Sequence, residues 1–153
     1  MPRVWAVVLL VLAATSCSLG ASFFIANLST RRVHVEYTLP CRPDCPSPTF
    51  TPVDRLRRAG SPDAIHGERL GVVRVQERRD SSITYVVDLP PDTAMHVFDG
   101  ETDGAGTILY PTQQFRDVRI TVDTGQTARS YEGRTLADAF RKWHNSVRVL
   151  EIR

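Results

Sequence analysis

The sequence has little excess charge of either sign and no apolar run of bilayer-spanning length. Among 153 residues, 19 are basic and 17 acidic, which leaves a formal net charge of +2, and Lys142 is the single lysine. A chain this balanced gives no indication of a polyanionic partner, so nucleic-acid binding is not expected. With 42% hydrophobic and 24% charged residues, the composition is typical of one globular domain. It excludes a collagen-like chain, a wholly disordered chain and a membrane protein with several spans.

The common catalytic motifs are also missing. The sequence contains no Gly-x-Ser-x-Gly, no Gly-x-Gly-x-x-Gly after a strand and no phosphate-binding Walker motif. Its four histidines lie on separate predicted elements, without the His-x-His or His-x-x-x-His spacing of a local metal site: His34, His66, His96 and His144. The sequence therefore predicts neither an enzyme nor a bound cofactor or metal.

The first 16 residues have the pattern of a secretory signal. Arg3 precedes an uncharged apolar run of 11 residues, Val4–Ala14. A membrane-spanning helix needs about 20 such residues, whereas this length suits the hydrophobic region of a cleaved signal. Small residues follow, and then Cys17.

The end of this segment resembles the lipobox of bacterial lipoproteins, whose usual form is Leu-Ala-Gly/Ala-Cys. The resemblance covers residues 1–17 only and departs from the common form at Ala14 and Ser16. It implies that the signal is cut before Cys17 and that Cys17 carries the acyl chains. Ser18, in place of Asp, then favours the outer membrane, facing the periplasm. The alternatives are an ordinary cleaved signal and an uncleaved anchor.

Acylation of Cys17 would leave two cysteines, Cys41 and Cys45, among several prolines. Export places them in an oxidising compartment, so we expect a disulfide that closes a short turn. The alternative is a metal or redox site, because Cys-x-x-x-Cys-Pro resembles the copper-binding motif of the Sco copper chaperones. That family has a thioredoxin-like fold with long helices, which the downstream pattern does not predict.

The rest of the chain alternates with a period of two, which indicates β-strands. The first two predicted strands flank a turn at Asn27–Arg31 and are expected to form a hairpin. Residues 41–67 are expected to form an irregular surface excursion. The predicted strands are Ser22–Leu28, Arg32–Leu39, Leu70–Glu77, Ser82–Leu89, Thr93–Phe98, Thr107–Tyr110, Arg116–Asp123, Gln126–Tyr131 and Val147–Ile152.

One short helix is predicted near the C-terminus. Thr135 and Asp138 suggest a capping box, and Leu136, Phe140 and Trp143 form one apolar stripe. The whole pattern predicts a single immunoglobulin-like or transthyretin-like β-sandwich over residues 22–153, with residues 17–21 as a lipidated tether.

The acidic segment Asp99–Gly106 partly matches a calcium-binding loop. Asp99, Glu101, Asp103 and Gly104 match positions 1, 3, 5 and 6 of a calcium loop, but Tyr110 stands where a bidentate Glu is needed. The two Asp-Gly pairs suit hairpin turns, so we predict a solvated turn without specific cation binding.

The sequence as a whole predicts a small membrane-anchored envelope lipoprotein. Its sandwich would be a non-enzymatic binding or assembly module that meets an envelope protein through a loop face or a sheet edge. The alternative is a periplasmic metal-handling protein that uses Cys41 and Cys45 or the acidic loop 99–106.

The cysteine pair can be tested directly. We expect the mature protein to contain a Cys41–Cys45 disulfide, which lowers the mass of the non-reduced peptide by about two hydrogens. Replacing both cysteines with serine should cost about 2 kcal/mol of unfolding free energy and leave the fold intact. Full alkylation of both thiols without reductant would contradict the pairing.

Overall fold

The computed structural model describes residues 19–40, 48–58, 73–79, 81–103, 105, 107–109, 111–144 and 146–153, with the backbone alone for 73–79 and 111–112. These residues form ten strands and three short helices. The strands are β1 Leu19–Asn27, β2 Val33–Pro40, β3 Phe50–Pro52, β4 Val73–Arg79, β5 Ser82–Leu89, β6 Thr93–Thr102, β7 Arg119–Asp123, β8 Ala128–Glu132, β9 Arg141–His144 and β10 Val147–Ile152. The helices are α1 Val53–Arg58, α2 Pro111–Gln114 and α3 Gly133–Ala139.

The strands form two five-stranded sheets that pack as a sandwich. Sheet A has the order β3-β6-β1-β10-β9, and sheet B has the order β4-β5-β2-β7-β8. The pair β1–β10 is parallel, and the other described pairs are antiparallel. The predicted mainly β sandwich with a short helix near the C-terminus is confirmed. β1 begins at Leu19, so residues 19–21 of the predicted tether already belong to the sheet.

Strand β1 is buried on both faces because it lies in the middle of sheet A. Phe23 and Ile25 face the core between the two sheets. Phe24 and Ala26 face a second cluster on the opposite side of sheet A, which we call its outer face. Along β10, Val147 and Val149 join the outer cluster, while Leu150 and Ile152 join the core. The last described strand, β10, is therefore also buried on both faces.

Four phenylalanine rings fill one end of the core. Phe23 stacks on Phe98 with ring centroids 4.6 Å apart. The edges of Phe115 and Phe140 approach the same ring at 5.4 Å and 5.0 Å. Such offset and edge contacts add to the burial of apolar area, so this cluster joins α2, α3 and sheet A.

Helix α1 covers the outer face of sheet A, within the segment predicted to be an irregular excursion. Its Val53 and Leu56 are buried in the outer cluster. Asp54 lies in the first turn and three arginines lie in the last, as the helix dipole favours. The prediction was therefore wrong for residues 50–58. The prediction missed α1 because six residues are fewer than two helical turns, too few to show the helical repeat of apolar residues.

The predicted hairpin between the first two strands is wrong, since β1 belongs to sheet A and β2 to sheet B. The turn between them carries the chain across the core. Asn27, fully buried, donates from Nδ2 to the carbonyls of Arg31 and Leu89 at 2.7 and 3.0 Å. Its Oδ1 accepts from the backbone N–H and hydroxyl of Ser29. This amide ties the end of β1 to sheet B.

Two further local predictions need correction. The C-terminal helix covers Gly133–Ala139 with Glu132 as N-cap, and Trp143 lies on β9 instead of on the helix. The segment from Asp99 to Thr102 belongs to β6 and not to a loop. At Gly100, a Cβ would approach the Phe23 ring to 2.9 Å and the Gln114 side chain more closely still. This glycine therefore permits packing and does not mark a turn.

The registers define two ends of the sandwich. At the Leu19 end, β1 begins opposite Thr102, and Ser22 bonds the carbonyl of Ser146 in the β9–β10 turn. At the Asn27 end lie the turns 28–32, 90–92 and 124–127, because Asn27 pairs with Thr93 in β6. Helix α1 starts beside Asp92 at the Asn27 end and runs towards the other end.

The aromatic cluster gives a stability prediction. We expect Phe23→Ala to lower the unfolding free energy by about 3–5 kcal/mol, because it leaves a cavity among three rings. Leu19→Ala, on the same strand but 44% exposed, is the control and should change the value by less than about 0.5 kcal/mol. Denaturant unfolding of both variants measures this. Equal losses would contradict the described packing of β1.

Candidate functional site

The residues predicted to carry the lipid and the disulfide lie outside the described residues. These are Cys17, Cys41 and Cys45, so both assignments stay predictions. The first described residue, Leu19, follows Cys17 by two positions. The polar groups that the structure does bring together lie on the outer face of sheet A and at the two ends.

We use the name Trp143 cluster for Arg57, Trp143, His144, Glu151 and Arg153. The guanidinium of Arg57 lies 5.0 Å from the Trp143 ring centroid, within the range of a cation–π contact. The indole Nε1 donates to Glu151 Oε1 at 2.8 Å, and Arg153 donates to the other carboxylate oxygen at 2.7 Å. His144 donates from Nε2 to the carbonyl of Arg57 at 2.7 Å. The cluster fixes the last turn of α1 against β9 and β10.

The carboxylate at the centre of this cluster is held ionised. The hydrogen bond from Trp143 lowers the pKa of Glu151 below its ordinary value, and Arg153 and Arg57 act in the same direction. Burial acts in the opposite direction but is outweighed. Glu151 therefore serves as a fixed negative charge among cations.

A second group on the outer face consists of Ser22, His96 and Asp99. Asp99 Oδ1 accepts from Ser22 Oγ at 2.6 Å and from His96 Nε2 at 3.0 Å. In a nucleophilic triad the imidazole stands between the hydroxyl and the carboxylate and takes the hydroxyl proton. Here the carboxylate stands between the other two, so the serine hydroxyl has no imidazole base at its oxygen. The arrangement ties β6 to β1 and does not form a nucleophile.

The described histidines do not converge on a metal site. His96 on β6 and His144 on β9 are three strands apart, which is about 14 Å at the usual strand spacing. His34 lies on sheet B, where Nδ1 meets Asp88 Oδ1 at 3.0 Å. Within the described part of the chain, no group of three His, Cys, Asp or Glu side chains is placed to hold a metal ion.

The acidic segment considered for calcium is divided between a strand and a turn. Asp99 is occupied by Ser22 and His96, and it lies in β6 with Glu101. Asp103 closes a turn by accepting from the Thr107 N–H at 2.7 Å. The predicted turn is therefore wrong for residues 99–102, which belong to β6, and the chain turns only from Asp103 to Thr107.

Arg148 is the largest fully buried side chain among the described residues. Its Nη1 donates to the carbonyl of His144 at 2.9 Å and to that of Val147 at 3.2 Å. Burial lowers the pKa of Arg148, and the charge of Asp103 acts in the opposite direction. The side chain joins the β9–β10 turn to the segment after β6, at the Leu19 end.

The edges of sheet A offer little room for strand addition, because β3 and β9 have three and four residues, whereas edge strand β4 of sheet B has seven. In sheet B, edge strand β8 pairs Arg129 with the buried Val122. Paired residues point to the same face, so Arg129 places an exposed charge on the core side of this edge. Inward-pointing charges and short edge strands both oppose pairing with another chain.

None of the described helices is long and apolar enough to cross a membrane. Searches against protein families, curated proteins and solved structures found no match to this chain.

Sequence reasoning missed the Trp143 cluster because it placed Trp143 on a helix. Arg57 comes from a helix that was not predicted, and the pairing with Glu151 depends on β9 lying beside β10. The signal that could have identified β9 is its run of basic and aromatic residues, Arg141–His144, just before the buried strand β10. That pattern suits a short edge strand as well as a helix end.

Titration of Glu151 gives a test. Its pKa is lowered in the folded state, so the charge stabilises the fold above the ordinary value of 4.5, and this contribution is lost as the pH falls through the folded pKa. We expect Glu151→Gln, which keeps an acceptor for Trp143, to cost about 1 kcal/mol near neutral pH and progressively less under acid conditions. Denaturant unfolding across this pH range measures the difference.

The cause of the shift is tested with Trp143→Phe. Removing the indole N–H should raise the pKa of Glu151 towards its ordinary value, as followed by carboxyl resonances in NMR. Arg119→Gln, in sheet B beside Glu132, is the matched control and should leave the resonance unchanged. A Glu151 pKa unaffected by Trp143→Phe would contradict the assigned cause.

Proposed function

We propose that this chain is a small envelope lipoprotein, anchored through acylated Cys17 at the outer membrane and facing the periplasm. The observation that carries the proposal is the lipobox-like ending of the signal segment, directly ahead of a β-sandwich that starts at Leu19. A cysteine in that position joins the acyl chains to a folded domain. Two or three acyl chains anchor stably, whereas one binds only marginally.

We further propose that the sandwich binds an envelope protein without catalysing a reaction, and that the Asn27 end is the binding surface. The turns at this end are on the side opposite Leu19, so an anchor at Cys17 directs them away from the membrane. Arg31, Arg32 and Gln126 are exposed there. The short edge strands β3 and β9 and the inward charge of Arg129 on β8 oppose strand addition at three of the four edges, which supports this loop face. A sandwich leaves such loops free to vary for recognition.

The anchor is tested by metabolic labelling with a fatty-acid analogue. We expect the wild type to be labelled and to sediment with membranes, and Cys17→Ser to be unlabelled and either released or unprocessed, because the acyl-accepting thiol is gone. The double variant Cys41→Ser with Cys45→Ser is the matched control and should be labelled like the wild type. Equal labelling of wild type and Cys17→Ser would refute the anchor.

The binding surface is tested by placing a photoreactive amino acid at Gln126, at the Asn27 end, or at Ser130, on the exposed edge strand β8. Irradiation of living cells should give a discrete cross-linked envelope protein from position 126 and none from position 130. Cross-linking from position 130 alone would favour the sheet edge over the loop face. Both positions are exposed, so neither change should disturb the core.

A further inference from the structure

Two turns at the Asn27 end carry the chain across the core from one sheet to the other. The turn 28–32 leads from β1 in sheet A to β2 in sheet B, and the turn 90–92 leads from β5 in sheet B to β6 in sheet A. The two turns lie side by side, because β5 ends opposite the start of β2. Within the described part of the chain, they are the links between the sheets at this end.

One buried side chain, that of Asn27, supports both turns from the core side. Its Nδ2 donates to the carbonyl of Arg31 in the first turn and to that of Leu89, which precedes the second, at 2.7 and 3.0 Å. Its Oδ1 accepts from the backbone N–H and the hydroxyl of Ser29 at 3.0 and 2.7 Å. Its backbone pairs with Thr93, which follows the second turn. The side chain is fully buried, so its amide bonds these groups in place of water.

Further bonds extend this support into each turn. The hydroxyl of Ser29, which donates to the buried amide, accepts from the Arg31 N–H at 3.3 Å. In the second turn two consecutive prolines restrict the backbone ahead of Asp92. The carbonyl of Asp92 accepts from the Val53 N–H at 2.9 Å. Both turns are therefore fixed along their length, and the second also holds the start of α1.

The turn 124–127 at the same end is held by bonds of its own. Asp123 Oδ1 accepts from the Gly125 N–H at 2.7 Å, and the first residue of the turn donates its N–H to the carbonyl of the last at 3.1 Å. This turn lies beside the turn 28–32, because β7 ends opposite the start of β2. A probe placed in it is therefore next to the other turns, while its own position does not rest on the Asn27 amide.

We propose that Asn27 is the positioning residue of the binding surface, and that its buried amide holds the turns 28–32 and 90–92 as one preorganised unit that the envelope partner contacts. The inference rests on the proposed function, which places the partner at the Asn27 end. A turn already fixed in its bound conformation loses less conformational freedom on binding than a mobile one. Hydrogen bonds beneath a site lock it in this way. Arg31 and Asp92, one exposed residue on each turn, are then presented at a fixed spacing.

Amide hydrogen exchange on the purified mature protein tests the coupling of the two turns. We expect Asn27→Ala to speed exchange severalfold at both Arg31 and Val53, because the first N–H lies in one turn and the second is bonded to the other. Exchange at Gly125 should stay as in the wild type. Val118→Ala, a change in the core at the opposite end of β7, is the matched control and should not speed Arg31 or Val53 relative to Gly125.

Photocross-linking in living cells tests the role in binding. With the photoreactive amino acid at Gln126, we expect the cross-linked product per folded protein to fall severalfold in Asn27→Ala. Ser29→Ala, which removes one bond within the first turn and keeps the buried amide, should lower it less. Val118→Ala should cross-link like the wild type. Protease resistance in the same cells measures the folded amount of each variant.

The outcomes separate the inference from the proposed function. No cross-linked product from the wild type would refute the binding surface and its positioning residue together. A wild-type product, with Val53 exchange unchanged in Asn27→Ala, would overturn the inference alone. Equal cross-linking of Asn27→Ala and Val118→Ala would do the same. If Asn27→Ala does not fold, Ser29→Ala decides: cross-linking equal to the wild type despite faster exchange at Arg31 would overturn the positioning role.

Discussion

The burial of β1 on both faces is the constraint on which the rest of the structure depends. A strand in the middle of a sheet needs partners on both sides, and β1 obtains them from β6 and from the last strand, β10. Its two faces need separate covers, which sheet B and helix α1 provide. The parallel pairing of the first and last strands makes sheet A complete only when the whole chain is present. Contacts of such long range are typical of slow-folding β proteins.

The two faces of sheet A differ in chemistry. The face towards sheet B packs against apolar side chains, with Phe23 stacked among three other phenylalanines. On the outer face the apolar cluster under α1 is bordered by polar pairs that hold strand to helix and strand to strand. Glu151 and Asp99 each accept two donors from different parts of the chain. The Glu151 carboxylate holds Trp143 of β9, and the Asp99 carboxylate ties β6 to β1.

The proposed anchor and the fold act together to give the domain a direction. In the proposed function, the strand that forms the centre of sheet A would also follow the acylated Cys17. Only Ser18 separates Cys17 from Leu19, the first residue of β1. The Leu19 end and the Asn27 end therefore have different roles in the proposed function, the first towards lipid and the second towards a protein partner.

The class of fold and most strand positions follow from local sequence patterns. Alternation with a period of two is a local property, so the apolar faces of residues 83–89 and 118–122 were predicted correctly and are buried. The lipobox resemblance at Cys17 is also local and needs no fold to be recognised. The strand boundaries shifted by a few residues, as at Leu19 and Thr102, because pairing with a neighbour extends a strand beyond its own pattern.

Which strands pair and which polar groups meet depends on long-range packing, which the local patterns do not contain. The turn after Asn27 has the pattern of a hairpin, but the chain crosses there to the other sheet. The buried Asn27 amide stabilises this crossing through its hydrogen bonds to Arg31 and Leu89. Gly100 reads as a turn residue, yet it is required by the approach of Phe23 and Gln114. Trp143 meets Arg57 and Glu151 only because β9 lies beside β10 under the end of α1. These contacts join residues far apart in the chain, and no local pattern encodes their partners.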